Sequence, residues 1–232
     1  TKDPDEKIVE TVLAGGIAKD YGAKEVILIA TYFPYLRQDK HFFKYDSFSS
    51  KHIVKLFSVF DRIITIDPHL HRIKHMRDFM GKAESISSNT LIADYIKKHF
   101  KNDFTIIGPD KESSQWSAKI AKQLGKKVVI LKKRRLSANH IKQNNIKEKL
   151  GNNVIIIDDI ISTAKTLEGA LKIAKRQGAK NLFCIGIHGL LIKGADERIK
   201  KYAKIVTTNT VPNYYSEIDV SPVIADALKK YK

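Results

Sequence analysis

Three segments of the chain repeat one pattern of apolar and polar positions. "IAKDYGAKEVILIA" spans 17–30, "IAKRQGAKNLFCIG" spans 173–186, and the shorter "IAKQLGKKVVIL" spans 120–131. In each, a helical rhythm stops at a glycine (Gly22, Gly178, Gly125), a lysine-bearing turn follows, and then an unbroken apolar run. Glycine suits the left-handed position just past a helix end. A short continuous apolar run reads as a strand buried on both faces. The pattern therefore predicts the α-to-β half of a βαβ unit, used three times, and its two full copies predict two related domains.

The remaining periodicities fit that frame. Helices are predicted over 5–21, 49–60, 89–100, 113–124, 163–177, 195–202 and 222–230. In the first of these, Ile8, Val9, Val12, Leu13 and Ile17 share one face. Strands are predicted over 26–30, 63–66, 104–107, 128–131, 154–157, 182–187 and 205–207. Residues 132–152 are basic and polar without clear periodicity. Alternating strands and helices predict an α/β fold, two mainly parallel sheets with helices on both faces. No Gly/Ser linker separates the domains. The repeat spacing predicts a boundary between 1–86 and 87–232, with the last helix packing back on the N-terminal domain.

Composition narrows this frame. With 232 residues, 43% of them hydrophobic, the chain can bury a substantial core. No apolar run approaches the ~20 residues of a membrane helix, and the start has no secretory apolar stretch. The chain opens on Thr1 rather than Met, which predicts an incomplete or processed N-terminus. Its single cysteine, Cys184, lies in the apolar run "LFCIGI" and reads as a buried structural thiol in a reducing, cytoplasmic setting. Lysines and arginines outnumber acids 42 to 25, a net charge of +17 that favours anionic partners. The basic residues are spread along the whole chain, so a solvated surface carries as much weight as a binding face.

Chemistry concentrates where the strands end, the place at which open α/β sheets bind ligands. The segments after the predicted strands read "TYFPYLRQDK", "DPHLHR", "GPDKESSQW", "KKRRLSANH" and "DDIISTAKT". In the last, Asp158 and Asp159 precede a hydroxyl-rich turn, Ser162 to Thr166, at a helix start. Free backbone N–H groups and the helix dipole make such a turn an anion site. Two adjacent carboxylates repel each other and need a purpose. Accepting hydrogen bonds from vicinal sugar hydroxyls, beside a turn that holds the sugar's phosphate, supplies one.

"VIIIDDIISTAKT" resembles the 5-phosphoribosyl-diphosphate (PRPP) binding motif of type I phosphoribosyltransferases. "PYLRQDK", "IDPHLHR", "GPD", "KKRR", "HGLL" and "TTNTVP" occur in an order and spacing similar to those of ribose-phosphate diphosphokinases, the PRPP synthetases, and this resemblance covers nearly the whole chain. It implies two phosphoribosyltransferase-like domains, an ATP side at the N-terminus and a ribose 5-phosphate side at the C-terminus. It implies transfer of diphosphate from Mg-ATP to O1 of ribose 5-phosphate with release of AMP. Asp158, Asp159, Ser162, Thr163, Ala164, Lys165 and Thr166 would then bind ribose 5-phosphate, and Arg37 with Gln38 would contact ATP. His69, near Asp67, falls on the family's metal-site histidine and Asp110 on the aspartate after its "GP" turn, with Mg2+ as the ion. Lys133 and Arg135 fall on the catalytic loop, where they would stabilise charge on the transferring group together with His69. The family also implies a homo-oligomer, a dimer or hexamer.

The chain departs from the family pattern at three places. Lys165 replaces the usual phosphate-loop glycine, Ser162 replaces a common acidic residue, and "KESSQW" follows "GPD". The family also carries an adenine-gripping segment N-terminal to the point where this chain begins. Two other readings stay open: a phosphoribosyltransferase that uses PRPP in nucleotide salvage, and a non-catalytic regulator or nucleic-acid binder on the same fold. No Walker A motif, zinc spacing or RNA-binding signature supports the last, so nucleic acid is not an expected partner.

Overall fold

The computed structural model describes residues 3–37, 49–70, 75–79, 81–101, 103–131, 133–135, 141–143 and 148–231, with the backbone alone at 79, 133–135 and 141–143. Gly22, Gly125 and Gly178 adopt φ of +88°, +63° and +91°. Each closes its helix in the same way. The glycine N–H bonds the carbonyl three residues back, and the next N–H bonds the one five back: Gly22 to Lys19 and Ala23 to Ala18, Gly125 to Lys122 and Lys126 to Ala121, Gly178 to Lys175 and Ala179 to Ala174. A side chain at these positive φ values would crowd the backbone, so glycine is the residue the turn requires.

The chain divides into two units, one of residues 1–87 with 223–232, the other of 88–222. In the first, helix α1 (Pro4–Asp20) leads to strand β1 (Ile27–Ala30), helix α2 (Ser49–Leu56) to β2 (Arg62–Ile66), and the short helix α3 (Met76–Phe79) to β3 (Ala83–Ile86). The three strands pair in parallel in the order β1-β2-β3. Ile8, Phe33, Leu36, Val54, Phe57, Phe60 and Ile63 form the core, with Phe33 meeting Phe57 edge-on at 5.0 Å. The face predicted for α1 is only partly covered: Ile8 is buried, but Val9, Leu13 and Ile17 are exposed. Helical periodicity marks an apolar stripe without telling whether a neighbour covers it. At the chain's end, Lys230 and Tyr231 both bond Glu84 of β3, at 2.5 and 2.9 Å.

The second unit carries helix α4 (Asn89–His99), strand β4 (Thr105–Gly108), α5 (Ser114–Gln123), β5 (Val128–Ile130), the pair β6 (Lys133–Arg135) and β7 (Ile141–Gln143), β8 (Asn153–Ile161), α6 (Lys165–Arg176), β9 (Asn181–Gly189), α7 (Ala195–Lys200), β10 (Lys204–Thr208) and β11 (Ser216–Ile218); the last helix, α8 (Ser221–Leu228), belongs to the first unit from Val223 on. Its main sheet has the order β11-β10-β9-β8-β4-β5, and every pair in it is parallel. From β4 the chain crosses by α5 to β5 on one side; from β8 it crosses by α6 to β9 on the other. Right-handed crossovers in opposite directions put α5 and α6 on opposite faces. The order therefore reverses between β4 and β8, and this is the sheet's switch point. Strand β8 is buried almost throughout, because α6 covers one side with Leu167, Ala170, Leu171 and Ala174.

Three sequence expectations are corrected. The stretch 132–152 is not featureless, since β6 and β7 pair antiparallel, Lys133 opposite Gln143 and Arg135 opposite Ile141. The central strand does not stop at 157 but runs through both carboxylates to Ile161. Strands β3 ("AESI") and β11 ("SEI") were invisible to periodicity. Both are short edge strands carrying a glutamate, a residue with little preference for sheets, and pairing with a neighbour outweighs that preference. Among the described residues no helix is long and apolar enough to cross a membrane.

Candidate functional site

Asp158 and Asp159 stand within β8, beside the switch point, and are 9% and 4% exposed. They are adjacent in sequence but alternate across the sheet, because successive side chains on a strand point to opposite faces. Asp158 lies opposite Gly186 of β9, two residues past the Ile156–Cys184 pair. Its charge adds to burial, the larger cause, in pushing the Cys184 thiol well above its ordinary range. Asp158 Oδ1 accepts the Asp159 N–H at 3.2 Å. Gly186 cannot carry a side chain here, since a Cβ would come within 2.5 Å of Ile161 Cδ1.

Beyond Ile161 the backbone turns into α6. Ser162 and Thr163 are half-buried, Ala164 is buried, Lys165 is exposed and Thr166 is half-buried. Ala164 takes a left-handed conformation, φ 58° and ψ 12°, and no side chain caps the helix that starts after it. The first N–H groups of a helix have no partners within it, so a twelve-residue helix presents its dipole and amides at this point. The carbonyl side of the turn is held from behind. Ile192 N–H bonds Ser162 O at 3.2 Å and Leu191 N–H bonds Ile161 O at 2.9 Å. Arg198 Nη1 donates to Thr163 O at 3.2 Å and to Lys193 O at 2.7 Å. The left-handed residue is Ala164 and not Lys165. Lysine in place of the family's glycine therefore meets no positive-φ penalty.

Across the switch point, Asp110 follows β4 and is buried. Its Oδ1 accepts the Ser113 N–H at 2.9 Å, while Ser113 Oγ donates to the Asp110 carbonyl at 2.9 Å. This closed turn starts α5 and commits one carboxylate oxygen of Asp110 to structure. In the first unit, Asp67 and His69 follow β2 and are both buried. Asp67 has φ 34°, an uncommon conformation away from glycine, held by its N–H on Ile86 O at 2.9 Å and by Ser87 Oγ on its Oδ1 at 3.0 Å. Arg37 is exposed on the loop after β1. All five non-glycine residues of positive φ among the described residues (Tyr35, Asp67, Ala164, Leu191 and Lys193) lie just after the ends of β1, β2, β8 and β9. Such strain gathers at working sites.

Of the residues singled out from sequence, Asp158, Asp159, Ser162 to Thr166 and Asp110 come together at the ends of adjacent strands. Arg37 and His69 belong to the other unit. Gln38 lies outside the described residues, as do the side chains of Lys133 and Arg135. Among the described residues no three His, Cys, Asp or Glu side chains form a metal-binding group. Sequence reasoning missed Arg198, which braces the turn through carbonyls alone. It quoted "TTNTVP" without a role for the Thr208–Thr210 pair in it, whose hydroxyls both donate to Ile187 O at 2.6 and 2.9 Å while Thr210 Oγ1 meets the buried His188 Nδ1 at 2.9 Å. Backbone-directed side chains of this kind leave no spacing signature.

A family model, "Phosphoribosyl transferase domain", matches residues 81–224. A ribose-phosphate pyrophosphokinase of Methanopyrus kandleri is 30% identical over 97% of this chain and 78% of its own length. Ribose-phosphate pyrophosphokinase 1 of Archaeoglobus fulgidus is 32% identical over 97% and 79%. The crystal structure of phosphoribosylpyrophosphate synthetase from Mycobacterium smegmatis superposes with a TM-score of 0.83 over 97% of this chain and 77% of that one, at 22% identity, and so shares the fold. With matches of this length and identity on top of the carboxylates and open helix start beside the switch point, the chain belongs to the ribose-phosphate pyrophosphokinase family.

Proposed function

We propose that this chain transfers diphosphate from Mg-ATP to O1 of ribose 5-phosphate, giving PRPP and AMP. The observation that carries the reading is the junction of β8 and α6: two buried carboxylates run directly into an uncapped helix start. The turn from Ser162 to Thr166 takes the 5-phosphate on backbone N–H groups, with the hydroxyls and Lys165 as further donors. Asp158 and Asp159 bring negative charge to the end of β8 beside the turn, and Asp159 accepts from the ribose hydroxyls and orients the sugar. Arg37 and Gln38 hold ATP, so the first unit is the ATP side and the second the ribose 5-phosphate side. An O1–Pβ bond forms as the bridge from Pβ to the AMP phosphate breaks, the bridging oxygen leaving on AMP and the O1 proton passing to water. Positioning and charge neutralisation dominate such a transfer, and Lys133 and Arg135 supply positive charge to the transferring group.

Mg2+ suits the donors at hand, because it prefers oxygen ligands and keeps most of its waters, so it needs few protein groups. Asp110 would offer a carboxylate in the second unit, and His69 would act through water in the first. When bound, Mg2+ supplies neutralisation of the ATP phosphates. A dimer or hexamer fits the family, and a cytoplasmic setting fits the free, buried Cys184.

Incubation with Mg-ATP and ribose 5-phosphate, followed by phosphorus NMR, tests the proposal. The expected result is stoichiometric AMP and PRPP. Absence of turnover together with absence of ribose 5-phosphate binding by calorimetry would overturn it.

A further inference from the structure

A second cleft lies at the opposite end of the six-stranded sheet, where β8, β9 and β10 begin. It encloses about 340 Å3, within the range of roughly 300–1,000 Å3 typical of small-molecule sites. Asn153 opens β8 beside the cleft, and Asp159 lies six residues further along the same strand. At about 3.3 Å per residue the two are about 20 Å apart, so the cleft is separate from the carboxylate site.

Its walls combine three kinds of chemistry. Aromatic surface comes first: His99 stacks on Tyr95 at 4.0 Å between centroids, and Phe100 meets the half-buried Phe183 edge-on at 4.5 Å. Positive charge comes second. Lys101 and Lys204 both border the cleft. Lys204 is paired with Glu217 at 3.1 Å, and Lys101 has no ion-pair partner among the described residues. Directed amides come third. Asn181 Nδ2 donates to Asn153 Oδ1 at 2.8 Å, and Asn153 Nδ2 donates to Asp103 O at 2.8 Å. This relay fixes both amides and turns the Asn181 carbonyl oxygen into an acceptor that receives no bond from the described residues.

We propose that this cleft is a binding site for a planar aromatic phosphate of nucleoside-monophosphate size. The ring lies against His99 and Phe183, its N–H edge donates to Asn181 Oδ1, and the phosphate sits between Lys101 and Lys204. Stacking accepts any π-face, lysine favours a phosphate as a point charge, and the fixed amide adds an edge preference. No carboxylate borders the cleft among the described residues. Glu217, the acid that pairs with Lys204, is shared with the Tyr95 hydroxyl.

Calorimetric titration of the intact chain with GMP, guanosine and inorganic phosphate tests the site. GMP is used because the proposed reaction releases AMP, and an adenine nucleotide would report on two places at once. GMP is expected to bind wild type and Asp159→Ala equally, and guanosine or phosphate alone at least about tenfold more weakly. His99→Ala and Lys101→Glu, both at exposed positions, are each expected to weaken GMP about tenfold. The proposal would be overturned by no GMP binding by wild type, by loss of binding in Asp159→Ala, or by indifference to both cleft variants. Equal affinity for phosphate alone would also overturn it, because the ring would then contribute nothing. None of these outcomes depends on turnover, so failure here and failure of the diphosphate-transfer reading are distinguishable.

Discussion

The segments 17–30 and 173–186 share one pattern, and half of their letters, in two different surroundings. Both close a helix with a glycine at almost equal φ, +88° and +91°, and with the same pair of backbone bonds. Their apolar residues then part company. Ile17 is 56% exposed where Ile173 is 4% exposed, and Ile29 is 39% exposed where Ile185 is 1% exposed. The reason lies in the neighbours. β9 pairs on both sides, with β8 and β10, whereas β1 pairs with β2 alone among the described residues. Local sequence sets the cap and the turn. Partners far along the chain set how much apolar surface leaves water, and burial is what stabilises. The buried copy is also the one beside the functional strand: Gly186 lies opposite Asp158, while the first copy ends on Ala30.

The largest effect expected from this contrast is functional. Asp159→Ala should weaken ribose 5-phosphate binding about a hundredfold or more in calorimetry, through loss of two charge-assisted hydrogen bonds. Asp159→Asn should fall between it and wild type. Next comes packing. In urea unfolding, Ile173→Ala should lower stability by about 2–4 kcal/mol, and Ile17→Ala should change it by no more than about 0.5 kcal/mol. Equal losses would mean that the α1 stripe is covered in solution. The two caps should behave alike: Gly178→Ala and Gly22→Ala should each cost about 1–2 kcal/mol, since both force a side chain into left-handed backbone. Unequal values would break the claim that the caps are equivalent.

The smallest effect concerns pH. Lys19, and after it the Val26 N–H, hold the Asp61 carboxyl below the ordinary aspartate range, with the ion pair at 2.5 Å. A lowered folded pKa adds stability above the unfolded pKa of about 3.9, and that stability is lost as pH falls through the folded value. Unfolding midpoints taken between pH 7 and pH 3 should therefore fall slightly more in wild type than in Asp61→Asn.

Much of this molecule could be read from the text of the chain. The three glycine turns, most of the long strands and helices, the α/β class and the acidic pair followed by a hydroxyl-rich turn were all legible. Each depends on interactions within a few residues or on a simple periodicity. The site was less legible. Asp158 and Asp159 read as a pair just past the strand, yet they belong to it, because β9 continues to pair with β8 as far as Ile161. Arg198 and the Thr208–Thr210 pair act through backbone carbonyls that only the folded chain brings near.

The sequence by itself determined where helices stop, which runs are apolar enough to be strands, and which strand end carries carboxylates before a phosphate-sized turn. Tertiary structure alone decided that β4 and β8 are neighbours, and so that the sheet reverses direction where those carboxylates stand. It decided which of two matching apolar faces is buried, and it made strands of "AESI", "SEI" and "KRR". The physical reason is one of range. Caps and turns are settled by sterics and hydrogen bonds between near neighbours, whereas burial and strand pairing are settled by partners distant in sequence, whose positions no local pattern records.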